Sequence, residues 1–176
     1  LLQPYRRNTM AVINVTAGSQ AILTLAPMTG TPLAYDPAKA DPASADGFVI
    51  PLMQDITVNA SPGIVRYSVL DNPSSKAFTT VNENSISGSM LLDEQTFFGD
   101  ATVTGNDVGT LGLFSTSTAK TEISFSVAFE GGTAGDYFVY GTGFISGLAP
   151  SASMDAAVWL SPFEIVVNGE LTKSTV

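Results

Sequence analysis

The sequence predicts a mainly β protein: an antiparallel β-sandwich or barrel-like domain with one short α-helix. Apolar and polar residues alternate with period two in several segments, as they do in strands that bury one face. Turn-forming Gly, Pro and Asn separate these segments at intervals of about 8–12 residues, the strand spacing of sandwiches and barrels. At 176 residues the chain is long enough for one domain with its own core. We predict that residues 10–176 form this domain and that residues 1–9 are an extension upstream of a start at Met10.

The clearest predicted strand is Thr121–Glu130. Its odd-numbered residues from Ile123 to Phe129 are apolar, and its even-numbered residues from Glu122 to Glu130 are mostly polar. We therefore expect a half-buried strand. Weaker alternation predicts further strands at Ala11–Val15, Ala21–Leu25, Phe48–Leu52, Ile64–Leu70, Leu111–Ser115, Tyr137–Ile145 and Phe163–Val167.

One segment departs from the β pattern. Asp93 and Glu94 precede two phenylalanines and Gly99, and early acids with a late glycine favour a helix through the macrodipole and the C-cap. We predict a helix of two to three turns around Asp93–Phe98, followed by a loop over Ala101–Gly109. Further on, Asn168-Gly169 between two apolar stretches predicts a tight type I′ hairpin.

The segment Thr31–Gly47 predicts a long loop. It contains three Pro, five Ala and three Asp, which leaves little to pack in a core. Ordered loops of this length are uncommon and are usually functional or disordered. It is either a flexible surface loop or a long inter-subunit loop that becomes ordered against a neighbouring subunit, and the second interpretation is favoured.

The composition excludes several classes of function. The chain has no His and no Cys, which removes imidazole bases, thiolate nucleophiles, disulfides and the usual zinc ligands. Sixteen acids against seven bases give a net charge of −9 and no basic patch for gripping phosphates. The spacing of Asp36, Asp41 and Asp46 does not match a calcium loop. We therefore expect no enzyme activity, no cofactor and no metal.

Membrane and targeting signals are weak. No window of about twenty apolar residues is present, so we expect no membrane insertion. The apolar run that follows Arg6-Arg7 is short and interrupted by polar residues, unlike the core of a secretory signal peptide.

The C-terminal third resembles the corresponding part of major tail tube proteins of long-tailed bacteriophages. The segment GTGFISGLAPSAS, residues 141–153, leads into VWLSPFEIVVNGE, residues 158–170. Upstream, RYSVLD at 66–71 is followed by ISGSM at 86–90 and by the predicted short helix. The resemblance follows the order of elements over residues 11–172. It implies hexameric rings that stack into a virion tail tube, whose inner sheets are commonly acidic and through which DNA passes without specific binding.

The resemblance also implies roles for individual segments. The chain would associate with itself and with other tail proteins such as terminator and distal tail or baseplate components, in the virion tail and, during assembly, in the host cytoplasm. The implied ring-stacking residues are Thr31, Tyr35, Asp36, Lys39, Asp41 and Asp46. The candidate lumenal acids are Glu122 and Glu130, and the inter-subunit contacts are Ala11, Ile13, Val15, Glu170 and Leu171.

Other interpretations remain open. A capsid decoration protein or a pilus-type subunit would share the low charge and the strand edges without protective Lys. A carbohydrate-binding β-sandwich would need exposed aromatic residues along one face, for which only Tyr35, Tyr137 and Tyr140 are candidates.

Overall fold

The computed structural model describes residues 21–44, 46–69, 72–103, 105–152 and 158–176, and all strand pairs within these ranges are antiparallel. The strands are β1 (Ile22–Pro27), β2 (Phe48–Val49), β3 (Met53–Ser61), β4 (Ile64–Val69), β5 (Asn72–Thr79), β6 (Glu83–Leu91), β7 (Glu122–Ala128), β8 (Tyr137–Ser146), β9 (Leu160–Val167) and β10 (Thr172–Thr175). The helices are α1 (Glu94–Phe98) and α2 (Asp107–Thr118). The mainly β, antiparallel fold class is confirmed.

A short connection joins the two end strands of the main sheet, and we therefore call it the closed sheet, although no described strand pair links β2 to β3. Its order is β2-β1-β7-β8-β9-β6-β3, and β10 also pairs with β8. The two ends of this order, β2 and β3, are joined by residues 50–52. The Ile50 N–H donates to the Leu23 carbonyl (2.9 Å), and the Leu91 N–H donates to the Leu52 carbonyl (3.1 Å). This short connection therefore bridges β1 and β6 and gives the sheet a barrel-like closure.

The inner face of the closed sheet holds the hydrophobic core. Alternating residues of each strand point into it, as the pleat requires, and α1 and α2 contribute Phe97, Val108 and Leu113. Phe125 of β7 has no exposed surface. The core members from the strands and the segment after β2 are Leu23, Leu25, Ile50, Ile86, Met90, Ile123, Phe125, Val127, Ile145, Phe163 and Ile165.

The predicted helix is present but shorter than expected. The side chain of Asp93 caps α1 by accepting a hydrogen bond from the Thr96 N–H (2.9 Å), and α1 ends after five residues. Gly99 follows with φ of 99°, a conformation that glycine adopts without strain.

A second helix replaces a predicted strand, so the expectation of a single helix is wrong. Leu111–Ser115 lies inside α2 and not in a strand, and the predicted loop Ala101–Gly109 ends where α2 begins. Asn106 caps α2, and Gly112 breaks its helical backbone with φ of 78°. Five alternating residues fit either structure, and here the side chains of Val108, Leu113 and Thr116 bury one side of a helix.

The predicted Asn168-Gly169 hairpin is also wrong. β9 and β10 do not pair with each other; both pair with β8, β9 along Gly143–Ser146 and β10 along Tyr137–Tyr140. The Asn168 N–H donates to the Thr142 carbonyl (2.8 Å), so the turn continues along the edge of β8. Gly169 alone of the pair has a positive φ, whereas a type I′ turn requires two.

The prediction that β7 is half buried is wrong as well. Ile123, Phe125 and Val127 face the core as expected, but Ser124 and Ser126 on the outer face are equally buried. Phe129, expected to continue the apolar face, lies beyond the end of the strand and is partly exposed. A second layer must therefore cover the outer face of β7.

Candidate assembly surfaces

The layer over β7 is the loop Thr31–Gly47. The Asp36 N–H donates to the Ser124 hydroxyl (3.0 Å), and Ala40 is completely buried. The Tyr35 ring lies 4.3 Å from the Tyr140 ring, measured between centroids. The expectation that this loop has little to pack is wrong, because it packs against its own subunit.

Side chains of the loop hold its shape. The Asp36 carboxylate accepts from the Ala38 N–H (3.0 Å), and the Asp41 carboxylate accepts from the Ala43 N–H (2.8 Å). These contacts are the local turn-forming bonds typical of aspartate. Lys39 donates through Nζ to the Gly105 carbonyl ahead of α2. Four of the six predicted stacking residues, Tyr35, Asp36, Lys39 and Asp41, thus have a role within the subunit, whereas the side chains of Thr31 and Asp46 are exposed.

Asn106 ties the loop to the rest of the fold. Its amide nitrogen donates to the carbonyls of Leu25 (3.1 Å) and Asp46 (3.2 Å). Its amide oxygen accepts from the N–H groups of Val108 (3.1 Å) and Gly109 (3.3 Å). One buried side chain therefore joins β1, the loop and the start of α2. The sequence contains a signal for this cap, because Asn106 directly precedes the acid Asp107, a pattern typical of a helix start.

Hydroxyl groups without a hydrogen-bond partner lie beneath the loop. They are Thr24 Oγ1, Tyr35 OH and Ser126 Oγ, all buried. Thr24 and Ser126 are direct cross-strand neighbours, and Ser126 is opposite Tyr140, on which Tyr35 stacks. Burial and the nearby Asp41 carboxylate raise the pKa of Tyr35, which keeps its hydroxyl protonated.

The two predicted lumenal acids lie apart. Glu122 begins β7, is partly buried and accepts a hydrogen bond from the Asn168 amide (2.8 Å). Glu130 follows the far end of the strand and is exposed. The strand from Glu122 to Ala128 alone spans about 20 Å, and Glu130 lies beyond its end. The structure therefore does not bring them together.

The outer face of β9, β6 and β3 is open and polar. Glu164 of β9 is opposite Ser87 of β6, which in turn is opposite Thr57 of β3. Ser89 of β6 donates a hydrogen bond to the Asp55 carboxylate of β3. Glu122 shares this outer side, because it pairs with Phe144 and Phe144 pairs with Val166. Sequence reasoning missed Asp55 and Glu164, although alternating Ser in residues 85–89 indicates a polar face.

Three strands of the main sheet leave an edge open. Among the described strands, β2 pairs with β1 alone, β3 with β6 alone and β10 with β8 alone. Each of the two strands β3 and β10 contains one charged residue, Asp55 in β3 and Lys173 in β10. The predicted contact residues Glu170 and Leu171 directly precede β10, whereas Ala11, Ile13 and Val15 lie outside the described residues.

A two-stranded arm is set apart from the closed sheet. We call β4 and β5 the arm; the two strands pair with each other and with no other described strand. The predicted strand Ile64–Leu70 corresponds to β4, whereas β5 was not predicted. All arm side chains from Ile64 to Ser68 and from Ser75 to Thr79 are exposed. The arm continues the β3–β6 pair, since Ser61 pairs with Glu83, the Thr80 N–H donates to the Gly63 carbonyl (2.7 Å) and Ile64 pairs with Thr79, but it has no buried face of its own.

The helices expose aromatic and aliphatic side chains. We call Phe98, Leu111 and Phe114 the helical patch; they are 59, 49 and 49% exposed. Of the described helices, none is long and apolar enough to cross a membrane. Among the described residues no group of three or more Asp and Glu is arranged to hold a metal ion. The structure thus offers surfaces and edges for contacts between proteins.

Comparison with known proteins gives a fold likeness and no sequence match. No family model matches the chain, and none of the curated proteins matches it. A chain of the SPP1 tail tube superposes with a TM-score of 0.59 at 12% identity, over 92% of this chain and 80% of that chain. A chain from the tail of an empty gene transfer agent (GTA) particle, determined with C6 symmetry, gives 0.58 at 12% identity, over 92% and 100%.

A third similar structure is the cap that terminates the tube of the anti-feeding prophage. It gives a TM-score of 0.56 at 13% identity, over 96% of this chain and 97% of that chain. At these identities the likeness establishes the fold. The chain has the fold shared by subunits of tail tubes and of a tube-terminating cap, as the resemblance in the sequence predicted.

Proposed function

We propose that this chain is a structural virion protein that self-assembles into stacked hexameric rings and forms a tail tube through which DNA passes. The observation that carries the proposal is the fold likeness to a chain of a C6-symmetric tail over 92% of the present chain. The protein acts by assembly and not by catalysis, in keeping with its lack of His and Cys.

Rings form through the open strand edges. A ring needs a different surface on each side of the subunit, because cyclic contacts of more than two copies are heterologous. The free edges of β3 and β10 provide such a pair, and strand addition would satisfy their unpaired backbone groups. Glu170 and Leu171 lie beside β10 and would join this contact, and Ala11, Ile13 and Val15 are proposed as further contacts between subunits.

The lumen is lined by the open polar face of β9, β6 and β3. Its acids Asp55, Glu122 and Glu164 would repel phosphates, so that a polyanion passes without adhering. Glu130 lies at the other end of β7 and would approach one rim of the ring. This assignment keeps Glu122 as a lumenal acid and adds two that strand register reveals.

Ring stacking involves the arm in addition to the predicted loop. The arm is exposed on both faces and has no core of its own, whereas the loop Thr31–Gly47 packs against β7 and β8. The loop takes part through its exposed residues: the turn closed by Thr29 and Ala34 presents Leu33, which is 61% exposed. Terminator and distal tail or baseplate proteins would contact the end rings, with assembly in the host cytoplasm before the tail joins the virion.

The carbohydrate-binding alternative finds no support in the aromatic residues. Tyr35 and Tyr140 stack on each other and are partly buried, and the exposed Tyr137 ring lies beneath Lys173. The three tyrosines therefore do not form the exposed row that a flat sugar-binding face requires.

Electron microscopy of the purified full chain over a range of concentrations tests the proposal. We expect rings and tubes with a lumen of roughly 20 Å or more, which is wide enough for the diameter of duplex DNA. Particles that stay monomeric at every concentration, with and without an end-cap protein as initiator, would contradict it.

Proline substitutions in β10 test the edge contact. Backbone N–H groups of successive residues in a strand point to opposite sides. One of the two variants Lys173→Pro and Ser174→Pro therefore removes a hydrogen bond to β8, and the other removes an N–H that points away from β8. The variant that keeps the wild-type melting temperature is the outward one, and we expect it to fold without forming rings. Normal rings from that variant would refute the role of β10.

A further inference from the structure

We propose that the helical patch, together with Glu94 and Asp107, is the surface that receives the arm of a second copy of this chain. The inference rests on the proposed function and specifies which surfaces meet when one ring stacks on the next. It follows from the shape of the patch, the register of the arm and the charges that each surface carries.

The two phenylalanines of the helical patch form a continuous aromatic surface. The Phe98 and Phe114 rings lie 6.1 Å apart, and both contact Phe97, at 5.0 and 5.8 Å between centroids. A Cβ built on Gly112 would lie 2.3 Å from the Gly99 nitrogen, so the two helices approach as closely as they do because both positions are glycine. With roughly 200 Å² per phenylalanine the patch exposes about 300 Å², a size that is often functional.

A cleft extends the patch towards the loop. It lies between the start of α2 and the turn that opens the loop, and Leu33, Asp107, Leu111 and Glu122 are among the residues that line it. Leu33 is the exposed tip of the turn, and Leu111 belongs to the patch. The receiving surface is therefore a groove at one end and an aromatic shelf at the other.

Strand register gives the arm one apolar face with a single cation. Val65 is opposite Phe78, and Tyr67 is opposite Lys76, so these four side chains share a face. The Tyr67 and Phe78 rings lie 5.9 Å apart. Arg66, opposite Ala77, lies on the other face. The arm thus presents aromatic surface beside Lys76, with Arg66 pointing away.

The charges of the two surfaces are complementary. Residues 92–118 contain four acids and no base, whereas residues 62–81 contain Arg66, Lys76 and a single acid in a chain of net charge −9. Glu94 lies one helical turn before Phe98, and Asp107 one turn before Leu111, so each acid is beside an apolar member of the patch. Both acids are exposed. Lys76 would reach one of them when the aromatic faces meet.

The partner is a second copy because every copy of the chain carries both of the complementary surfaces. Among the described strands β4 and β5 pair with each other alone, while the helices pack against each other, β1 and β8. A contact between unlike surfaces of identical chains closes into a ring or continues without end, depending on the rotation between copies, and when it joins rings along one axis it produces open-ended stacks. A patch of this size is small for a stable dimer, but six contacts between rings act together.

Charge reversal on the full-length chain tests the inference. We expect Lys76→Glu to raise the critical concentration for tubes by about tenfold or more, because the repulsion is repeated six times per ring interface. Arg66→Glu is the matched control, since it changes the same charge on the opposite face and should have a much smaller effect. Combining Lys76→Glu with Glu94→Lys and Asp107→Lys should restore tubes, and circular dichroism establishes that each variant is folded.

The outcomes separate this inference from the proposed function. If the wild-type chain forms neither rings nor tubes, the proposed function fails. If the wild type forms tubes and Lys76→Glu forms them at the same concentration, or Arg66→Glu is equally harmful, the inference is overturned. Failure of the charge swap to rescue a folded Lys76→Glu chain would overturn the helical patch as the receiving surface. Phe98→Ser with Phe114→Ser, both exposed, should also abolish stacking, and normal tubes from this variant would contradict the inference.

Discussion

Substitution of Asn106 by alanine should destabilise the subunit more than any other single polar change in the loop region. The side chain is 1% exposed and makes four hydrogen bonds to the backbone of β1, the loop and α2. Alanine removes all four at once. It leaves the Leu25 and Asp46 carbonyls without this donor, and the first turn of α2 without a cap.

The size of the effect follows from these contacts. Loss of an N-cap costs about 1 kcal/mol. Each carbonyl deprived of its buried donor costs at least about 1 kcal/mol. The free energy of unfolding should therefore fall by about 3 kcal/mol, which for a domain of this size lowers the melting temperature by about 6–12 °C.

Thermal unfolding followed by far-UV circular dichroism, at concentrations below assembly, measures this change. Asn106→Ser separates the two contributions, because a serine hydroxyl can still cap α2 but cannot reach both carbonyls. Its melting temperature should lie between those of Asn106→Ala and wild type, about 2–4 °C above that of Asn106→Ala, which corresponds to about 1 kcal/mol in the free energy of unfolding. A melting temperature of Asn106→Ala within 2 °C of wild type would refute the reasoning.

Two further substitutions test the core and the buried hydroxyls. Phe125→Asp should leave the chain unfolded, because it places an unpaired carboxylate at a site with no exposed surface. The control Phe129→Asp, at a partly exposed position beyond the end of β7, should fold. Circular dichroism distinguishes the two, and a folded Phe125→Asp variant would disprove the core assignment. Tyr35→Phe should leave the melting temperature unchanged or raise it by a few degrees, because it removes a buried hydroxyl that has no hydrogen-bond partner. The exposed control Tyr137→Phe should not change the melting temperature. If Tyr35→Phe lowered the free energy of unfolding by more than about 1 kcal/mol, the hydroxyl would have to be hydrogen-bonded.

Local patterns predicted much of the fold. Alternation located β7, β8 and most of β9 because apolar residues on one face of a strand must meet a core. The acids before α1 located its start because a side-chain carboxylate can satisfy free N–H groups there, as Asp93 does. These features depend on residues a few positions apart, so the sequence displays them directly.

The predictions from sequence were wrong where contacts with distant segments determine burial or strand formation. Ser124 and Ser126 look like solvent-facing residues of a half-buried strand, and only a loop 88 residues away buries them. Strand β6 was missed because Gly88 occupies an inward position where a larger residue is expected. A Cβ there would lie 2.4 Å from the Asp55 carbonyl oxygen and 3.0 Å from the Phe163 ring, so the neighbouring strands require glycine.

The sequence indicated which segments take part in the candidate sites, but not which surfaces those segments form. Thr31–Gly47 was recognised as unusual, yet its composition does not reveal that Asp36 and Asp41 shape turns and that Ala40 is buried. The arm was visible as one strand, but the face shared by Tyr67 and Lys76 exists only once β4 and β5 are in register. Surfaces depend on register, which a single sequence constrains weakly when both strand faces are exposed.

The isolation of the arm bears on how a tube would grow. The arm is a paired hairpin in the single subunit but has no core of its own, so its side chains gain packing only when it docks. The first contact between two free subunits would therefore be weak, because one arm meets one small patch. A complete ring of the proposed hexameric kind would present six helical patches in fixed positions, and each arm that docks would raise the effective concentration of the next. Growth on an existing ring is thus favoured over pairing of free subunits. The same arms that make the tube cohesive would delay its assembly until a first ring is present.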